Sequence, residues 1–547
     1  MQAPRLSAEE FKSVKKRVEQ AWSARSPWNA IYQEAYDFVV PQRRPKANGQ
    51  LRSTTNLYDM TAVNAAMKFA GRLQQDLFPP GQDKFVIEAG PLAMQALMAT
   101  GGKDAVKVVN RELDKTAKVM QPFFLTGDWD TSIHEACLEL AVGTSAVLPV
   151  SGDPRHDPLN FATIPFDQIA IWIDMLGKVV GVDWKQEVEC SQVFEKWPNA
   201  AWPEDFRDRV KNKPDEPVVL HQTWYRDPLP GGGWHFIAWV DKFEAEAVHE
   251  RYRTQPISVP RYYRVPGEAY GRGVVLTALP SIRTLNKAQE LALKSAAIQM
   301  LGIWAYRAGG TFNPNAVRMG PGEFWAMQST GGILGPDVQR LDAASGNINV
   351  AQLVIGNLQD QVKQSMFDNT LPEYSGTPRS AAEVLGRMQQ NADVHIGAFG
   401  RLVSEIMPVL VPRCAEILHD HRILSTVQNI DNLLFAVRVR SPMAAALNAQ
   451  RLGAIANYFE IGAAIVGPEN MPLYGDRDVA MDLFAEGLMV DKELVPDPDR
   501  KRQITEEIQA AQMQQLQMLL AQEAAKNGTK AVADIATQQA TQQRQAA

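Results

Sequence analysis

The sequence has few of the residues that cross-link a chain or bind a metal ion. Its three cysteines, Cys137, Cys190 and Cys414, lie far apart and form no CxxC pair, and its eight histidines are scattered. We therefore expect neither a disulfide framework nor a cysteine zinc site. This cysteine usage fits a reducing compartment.

Long apolar runs are missing as well. No stretch approaches the roughly 18 consecutive apolar residues that a membrane span needs. The N-terminal segment MQAPRLSAEEFKSVKKRVEQ is charged and has no apolar centre of the kind found in signal peptides. We expect a soluble protein that is intracellular at synthesis and has no membrane partner.

The chain also lacks a surplus of basic residues, since 56 lysines and arginines stand against 62 acidic residues, a formal net charge of −6. A general nucleic-acid binder usually carries a basic patch or a basic balance. If DNA is a partner, we expect that it is not gripped along the whole surface. Apolar residues make up 45% of the chain, which is enough for most of it to bury a core.

Motifs for catalysis and cofactor binding are absent too. His134-Glu135 begins like HExxH, but Leu138 stands where the second histidine would be. The stretch from Gly376 to Ser380 has no GK[ST] and cannot form a P-loop, and Gly271-Arg272-Gly273 has no strand-GxGxxG-helix context. We expect no catalytic residues, no metal and no cofactor, and not an enzyme.

The length of 547 residues suggests three or four modules. Apolar spacing predicts helices over residues 7–38, after Asp59 or Thr61, and through most of 103–148. From about 159 to 250 the pattern changes to short strands, with two hairpins, 169–173 with 179–184 and 218–225 with 234–240. These regions predict an α+β module of about 250 residues, in a chain that is mainly helical.

The second half predicts an elongated arrangement. Pro280-Ser281 opens a helix to about Leu301, a Gly/Pro-rich stretch covers about 302–346, and another helix covers about 347–368. After a loop at 369–378, the capping box Ser380-Ala381-Ala382-Glu383 opens a helix that can run to Met407, roughly 42 Å at 1.5 Å per residue. We expect Pro408 and Pro412 to kink or end it.

The C-terminal part predicts further short helices over 441–490 and a linker near 496–502. The tail from 503 is rich in Gln and Ala and cannot build a core alone. It is either disordered or a helix that packs only against copies of itself.

Three cations share one face of the helix that follows Pro280. Arg283, Lys287 and Lys294 lie at i, i+4 and i+11. Two interpretations stay open at this point: a solvated face or intersubunit pairs with acidic neighbours, and a weak stripe that faces DNA phosphates. Because every neutralised phosphate strengthens binding, too many such contacts would stall moving DNA.

The sequence around this helix resembles a known family. The stretch Gly267-Glu268-Ala269-Tyr270-Gly271-Arg272-Gly273, continued by Leu279-Pro280-Ser281-Ile282-Arg283-Thr284-Leu285-Asn286, is similar to a pattern, YGRGP…LPDI.TLN, of the head-to-tail connector (portal) proteins of short-tailed phages, the podoviruses. Val274 stands where that family often has Pro, and Ser281 replaces an Asp. Ser is also a good helix cap.

Two further blocks resemble the same family, in the same order and spacing over about residues 10–500. One is Leu57-Tyr58-Asp59 through Leu77-Phe78-Pro79-Pro80, although Asp83-Lys84-Phe85 stands where Trp-Phe is common. The other is Pro378 to Val384 with Arg387, followed by Glu405 to Pro408. The positions that we single out as structural motif residues are Tyr270, Gly271, Arg272, Gly273, Pro280, Asn286, Ser380, Glu383 and Arg387.

The resemblance implies a portal fold and a ring of twelve identical subunits. It implies the following layout: wing 1–270, stem helix 271–301, clip 302–346, stem helix 347–368, channel loop 369–379, long wing–crown helix 380–420, crown 421–500, and a barrel helix 501–547. In the ring, a tail helix without its own core could still order.

The resemblance also implies partners and a place in the virion. It implies double-stranded DNA in the channel, the terminase large subunit, the major capsid protein, a scaffolding protein and the tail adaptor or tube proteins. The ring would stand at the portal vertex between capsid and tail, after assembly in the host cytoplasm. Candidate DNA contacts are Arg283, Lys287 and Lys294 on the stem and Asn369, Thr370, Tyr374 and Ser375 in the loop.

Two alternatives remain beside this reading. One is another oligomeric structural or scaffold protein of the virion, and the other is a nucleic-acid enzyme with an unrecognised site. The enzyme would need clustered acidic metal ligands or a phosphate loop, and the sequence has neither pattern.

Overall fold

The computed structural model describes residues 4–41, 57–229, 231–241, 246–301, 303–306, 338–341, 348–368, 381–425, 434–467, 470–487, 500–515 and 517–518. By internal contacts the chain divides into two compact units, Met1–Met94 with Glu112–Leu447, and Gln95–Arg111 with Asn448–Ala547. The candidate sites below lie in the first unit.

The described residues are mainly helical. The helices are α1 Ala8–Val39, α2 Thr61–Leu77, α3 Pro91–Thr126, α4 Trp129–Val142, α5 Cys190–Lys196, α6 Glu204–Asn212, α7 Val274–Leu301, α8 Ile348–Ser365, α9 Ala381–Asp420, α10 Pro442–Val466 and α11 Arg477–Gly487. Residues 500–515 are also helical.

The strands lie mostly between α4 and α7. They are β1 Phe85–Ala89, β2 Val147–Ser151, β3 Leu159–Thr163, β4 Ile169–Ile173, β5 Val179–Glu189, β6 Pro217–Arg226, β7 Trp234–Val240, β8 Val248–Tyr252, β9 Ile303–Tyr306, β10 Val338–Leu341 and β11 Phe435–Val439. This α+β content confirms the predicted class.

An antiparallel sheet in the order β4-β5-β6-β7-β8 is the largest sheet among the described residues. Ile169 pairs with Trp184 and Leu220 with Val240, so both predicted hairpins are confirmed. The smaller sheets are antiparallel pairs, β1 with β11, β2 with β3, and β9 with β10.

Helices cover both faces of the large sheet. Alternate residues of a strand point to opposite faces, so the contacts of β7 show what lies on each side. On β7, Ile237 and Trp239 pack with Phe11 and Val18 of α1, and the rings of Phe11 and Trp239 meet edge to face at 5.7 Å. Val240 belongs instead to the cluster of the short helices α5 and α6, with members such as Phe206. The helix predicted over 7–38 is confirmed as α1, and the structure shows that it covers one face of the sheet.

Prolines interrupt the helices less than we expected. The helix predicted to open at Pro280-Ser281 begins six residues earlier, at Val274, with Pro280 inside it. The long helix continues through Pro408 and Pro412 to Asp420. An internal proline removes one backbone hydrogen bond. In α9 a buried apolar face offsets that loss, formed by Leu402, Ile406, Leu410, Val411, Cys414 and Ile417.

Residues 271–368, for which the sequence resemblance predicts a stem and clip, are described in part. Helices α7 and α8 pack along one another. Between them, β9 and β10 form an antiparallel pair, with Ile303 opposite Leu341. A helix pair with a small hairpin between its members is the order of elements expected for residues 271–368, and the rest of 302–346 lies outside the described residues.

Candidate functional site

The three cations predicted to form a stripe are all exposed on α7, but each has an acidic partner. The guanidinium of Arg283 donates two hydrogen bonds to the carboxylate of Glu34 on α1. This ion pair joins α7 to the N-terminal helix α1. Because both side chains are accessible to solvent, it contributes little to stability by itself.

Lys287 and Lys294 share a single carboxylate. Glu290 lies between them on the same helix face, and its oxygens accept from Lys287 Nζ at 2.8 Å and from Lys294 Nζ. The hydrogen bonds from Lys287 and then from Lys294 lower the pKa of Glu290 to about 2. Glu290 is therefore ionised at any pH near neutrality. The group of Lys287, Glu290 and Lys294 then has a net charge of +1.

Asn286 links α7 to the block that precedes α2. Its side-chain oxygen accepts from the backbone N–H of Tyr58 at 2.8 Å. Next in the chain, Asp59 accepts from Gln359 of α8 at 2.8 Å and, through its other oxygen, from the N–H of Thr61. Two sequence blocks that lie more than 200 residues apart thus meet at the junction of α2, α7 and α8.

Gly271 and Gly273 allow the backbone before α7 to touch the end of α4. The N–H of Gly273 donates to Val142 O at 2.8 Å. A Cβ on Gly273 would lie 2.1 Å from the carbonyl oxygen of Ala141, and one on Gly271 would lie 2.6 Å from that of Gly143. No side chain fits at these distances, so the two glycines are needed for packing.

A buried tyrosine fastens the same contact from the side of α1. The hydroxyl of Tyr32 donates to Gly271 O, and the Gly271 N–H donates to Thr144 Oγ1 at 2.7 Å. The ring of Tyr32 stacks on Phe166 at 4.0 Å, and Phe166 meets Tyr270 edge to face. Burial raises the pKa of Tyr270 to about 12, so its hydroxyl stays neutral.

The exposed member of this motif, Arg272, points outward. It forms an ion pair with Glu268 at 2.6 Å, and its guanidinium lies 5.5 Å from the centre of the Trp28 ring. The motif thus combines a packed interior, Tyr270, Gly271 and Gly273, with one solvent-facing cation.

Glu405 of α9 holds a buried arginine. Its carboxylate accepts from Arg261 through the backbone N–H at 3.0 Å and through Nη2 at 2.9 Å. The arginine side chain is only 3% exposed, whereas that of Glu405 is 20% exposed. Arg261 Nη1 also donates to Gly177 O at 3.2 Å, so the long helix is joined to the β4–β5 turn.

A profile described as "Bacteriophage head to tail connecting protein" matches residues 11–495 of the chain. The chain belongs to this family. It is also similar to the portal protein of Enterobacteria phage T3, with 20% identity over 388 residues, which is 68% of each chain. A second relative is the portal protein of Escherichia phage T7, with 21% identity over 421 residues and 74% of each chain covered.

The resemblance seen in the sequence blocks is therefore confirmed. Within this connector, three motif blocks have structural contacts: Asn286 with Tyr58, Gly271 and Gly273 with the end of α4, and Glu405 with Arg261. Pro280 lies exposed inside α7. Glu383 and Arg387 are part of helix α9.

Several predicted positions lie outside the described residues: Asn369, Thr370, Tyr374, Ser375 and Ser380. The channel loop and the capping box therefore stay predictions. Among the described residues, no group of three or more His, Cys, Asp or Glu side chains could hold a metal ion. In the same part of the chain no helix is both long and apolar enough to cross a bilayer.

Sequence reasoning missed the acidic partners of the cations. Glu290 could have been found, since it follows Lys287 by three residues and precedes Lys294 by four, both of which are contact spacings on a helix. Glu34 and the pair of Arg261 with Glu405 could not, because their partners are 249 and 144 residues away in the chain.

Proposed function

We propose that the chain is a portal protein: twelve copies form a ring at one capsid vertex, and the phage genome passes through the ring during packaging and ejection. The observation that carries the proposal is the match to the connector family over residues 11–495. The names of the T3 and T7 relatives, both portal proteins, support it.

In this proposal the ring is a conduit and a platform, not a catalyst. The terminase large subunit docks on it and drives DNA inward, the scaffolding and major capsid proteins assemble around it, and tail adaptor or tube proteins bind it later. The layout of wing, stem, clip, channel loop, crown and barrel follows the ranges given above. The pairing of α7 with α8 and the β9–β10 pair between them support the stem and clip assignments.

The α7 face with Arg283, Lys287 and Lys294 is the part of the stem that we propose meets DNA. With Glu34 and Glu290 it carries three cations against two carboxylates, so its net charge is small. A weakly positive face suits a sliding duplex, because each phosphate that a lysine neutralises strengthens binding and opposes movement. The net negative charge of the whole chain also weakens DNA binding, because it repels the DNA phosphates.

The channel loop is proposed as a second contact. Asn369, Thr370, Tyr374 and Ser375 would offer polar contacts that do not depend on base sequence. Deletion of this loop should reduce packaging or retention of packaged DNA. If both were unchanged, the loop would have no part in holding DNA.

Electron microscopy of the purified full-length protein tests the function directly. We expect rings of about twelve copies with an axial hole at least as wide as a duplex, about 20 Å. A closed assembly without a hole would favour another virion structural protein. A monomer with nuclease or ATPase activity would overturn the proposal.

A further inference from the structure

Two histidines at the edge of the large sheet link the N-terminal segment to the β6–β7 turn. His249 on β8 contacts the carbonyl oxygen of Pro4 through Nδ1 and contacts His235 Nδ1 through Nε2, at 2.9 Å. His235 on β7 in turn reaches Asp227 Oδ2 through Nε2, at 3.3 Å. The three contacts form one continuous chain, which we call the histidine relay.

The relay fixes residues 4–7, here named the N-terminal strap. Besides Pro4, the strap is held by the backbone N–H of Leu6, which donates to Glu246 at 2.8 Å. Ser7 then caps α1 through a reciprocal capping box with Glu10. A change at the relay therefore acts on the segment that leads directly into the helix covering the sheet.

Counting protons shows that the relay cannot be satisfied by two neutral histidines. Both ends, the Pro4 carbonyl and the Asp227 carboxylate, only accept hydrogen bonds. Three contacts in series need three protons on the imidazole nitrogens, whereas two neutral imidazoles carry two. One additional proton completes all three bonds, and a second would place two N–H groups against each other between His235 and His249.

Removal of the strap changes this count. Without Pro4, only the His249–His235 and His235–Asp227 contacts remain, and two neutral imidazoles satisfy both. With the strap in place and both rings neutral, one of the three contacts is always left without a proton: the one to the Pro4 carbonyl, the one between His249 and His235, or the one to Asp227. Docking of the strap is thus coupled to the uptake of one proton.

The surroundings determine the pH range of this coupling. Burial lowers the pKa of His235, and this effect outweighs the hydrogen bond that His235 donates to Asp227, which raises the pKa. The ring stacks on Tyr225, whose pKa burial raises to about 12, so that phenol is neutral. The charged and titratable groups that face the relay are Asp227, Arg251, Glu10 and Glu246. Because burial lowers the pKa of His235, we expect the proton to be taken up in mildly acidic solution.

We propose that the histidine relay is a proton-linked latch, which holds the N-terminal strap more tightly in mildly acidic solution than at neutral pH. The direction of the pH dependence follows from the number of protons that the docked and undocked states need. The docked state has the higher affinity for the proton, so docking strengthens as pH falls through the histidine range and weakens as pH rises.

Hydrogen exchange of the full-length protein tests the latch. The readout is protection of the Leu6 amide, corrected for the intrinsic exchange rate, at about pH 7.5 and about pH 5, a range that stays above ordinary carboxyl pKa values. We expect about fivefold greater protection at the lower pH, the factor that one additional hydrogen bond provides. Equal protection at both values, or greater protection at pH 7.5, overturns the proposal.

One isosteric variant supplies the missing proton. In Asp227→Asn the side-chain amide can donate to His235 Nε2, so two neutral histidines complete the relay. The exposed Arg251, which pairs with Asp227 at 3.0 Å, can turn to solvent. We expect the strap of this variant to be protected equally at both pH values. A pH dependence of Leu6 protection like that of the wild type would contradict the proposal that the relay lacks one proton.

Two more variants complete the test. His249→Gln keeps a donor for Pro4 without a group that titrates in this range, so its Leu6 protection should not depend on pH either. His156→Gln is the matched control, since His156 is exposed on the loop between β2 and β3, which belong to a different sheet, and should leave the wild-type dependence unchanged. Circular dichroism verifies that each variant is folded. A pH dependence that survives in His249→Gln overturns the latch.

Discussion

Substitution of Glu290 by Gln should make the α7 face that carries Lys287 and Lys294 bind DNA more tightly. Glu290 neutralises one of two lysines, Lys287 and Lys294, and its low pKa keeps it charged under all ordinary conditions. The variant has nearly the same shape but no carboxylate. It therefore raises the net charge of the α7 face, with Glu34 and Arg283 included, from one to two positive charges per subunit.

The size of the effect can be worked from the helix geometry. Lys287 and Lys294 are seven residues apart, or about 10 Å along the axis of α7. A duplex carries one phosphate charge per ~1.7 Å, so about six phosphates lie within that span. If α7 runs along the channel, released lysines can neutralise at most about six additional phosphates, however many subunits form the ring.

Salt dependence of DNA binding measures the number of neutralised phosphates. Each one steepens the plot of log binding constant against log salt concentration by about 0.9. For assembled rings of Glu290→Gln we expect a slope steeper than the wild-type slope by between ~1 and ~5, measured with a labelled duplex between about 50 and 200 mM salt. Genome packaging by the variant should be slower.

The matched control is Glu112→Gln. Glu112 forms a similar exposed ion pair with Lys115, at i,i+3 spacing and 2.7 Å, on a different helix, α3. Its slope should equal that of the wild type. Identical slopes for wild type and Glu290→Gln, in rings that do bind DNA, would refute the placement of this face at the duplex. Steepening by the control as well would mean that the effect is one of overall charge.

Three further predictions concern stability and accessibility. Gly273→Ala should lower the free energy of unfolding by about 2–3 kcal/mol in chemical denaturation, because its Cβ meets the Ala141 carbonyl at 2.1 Å; Gly71→Ala, in an open helical position, should instead raise it by about 0.5–1 kcal/mol. Glu405→Ala should cost about 2–3 kcal/mol by leaving buried Arg261 without its carboxylate, and a loss below about 0.5 kcal/mol would contradict that role. The Cys137 thiol, whose pKa burial raises to about 12, should not react with a thiol reagent at pH 8 until the protein unfolds, and rapid reaction of the native protein would show that the site opens.

The sequence predicted the elements that local physical chemistry controls. Short runs of apolar residues on either side of turn residues predicted both hairpins of the large sheet. Such continuous runs are typical of strands that bury residues on both faces. The apolar spacing over 7–38 predicted α1. Both patterns depend only on residues that are neighbours in the sequence, and the sequence alone was therefore enough to predict these elements.

Local rules failed where tertiary packing outweighed them. Pro280, Pro408 and Pro412 read as helix boundaries, but α7 and α9 continue through them because the buried faces stabilise more than one lost hydrogen bond costs. The resemblance to connector proteins was found from ordered blocks of residues. The structural role of each block could not be predicted from the sequence, because the residues that it contacts lie far away in the chain.

By itself, then, the sequence determined the class of the fold, the family and the row of cations on α7, because these depend on composition, periodicity and the order of motifs. Only the tertiary structure decided what those cations do. Through-space contacts gave Arg283 its partner Glu34 and Arg261 its partner Glu405, and they joined His249 to Pro4. Electrostatic and hydrogen-bond energies depend on distances between atoms, and the folded chain, not the spacing along it, determines those distances.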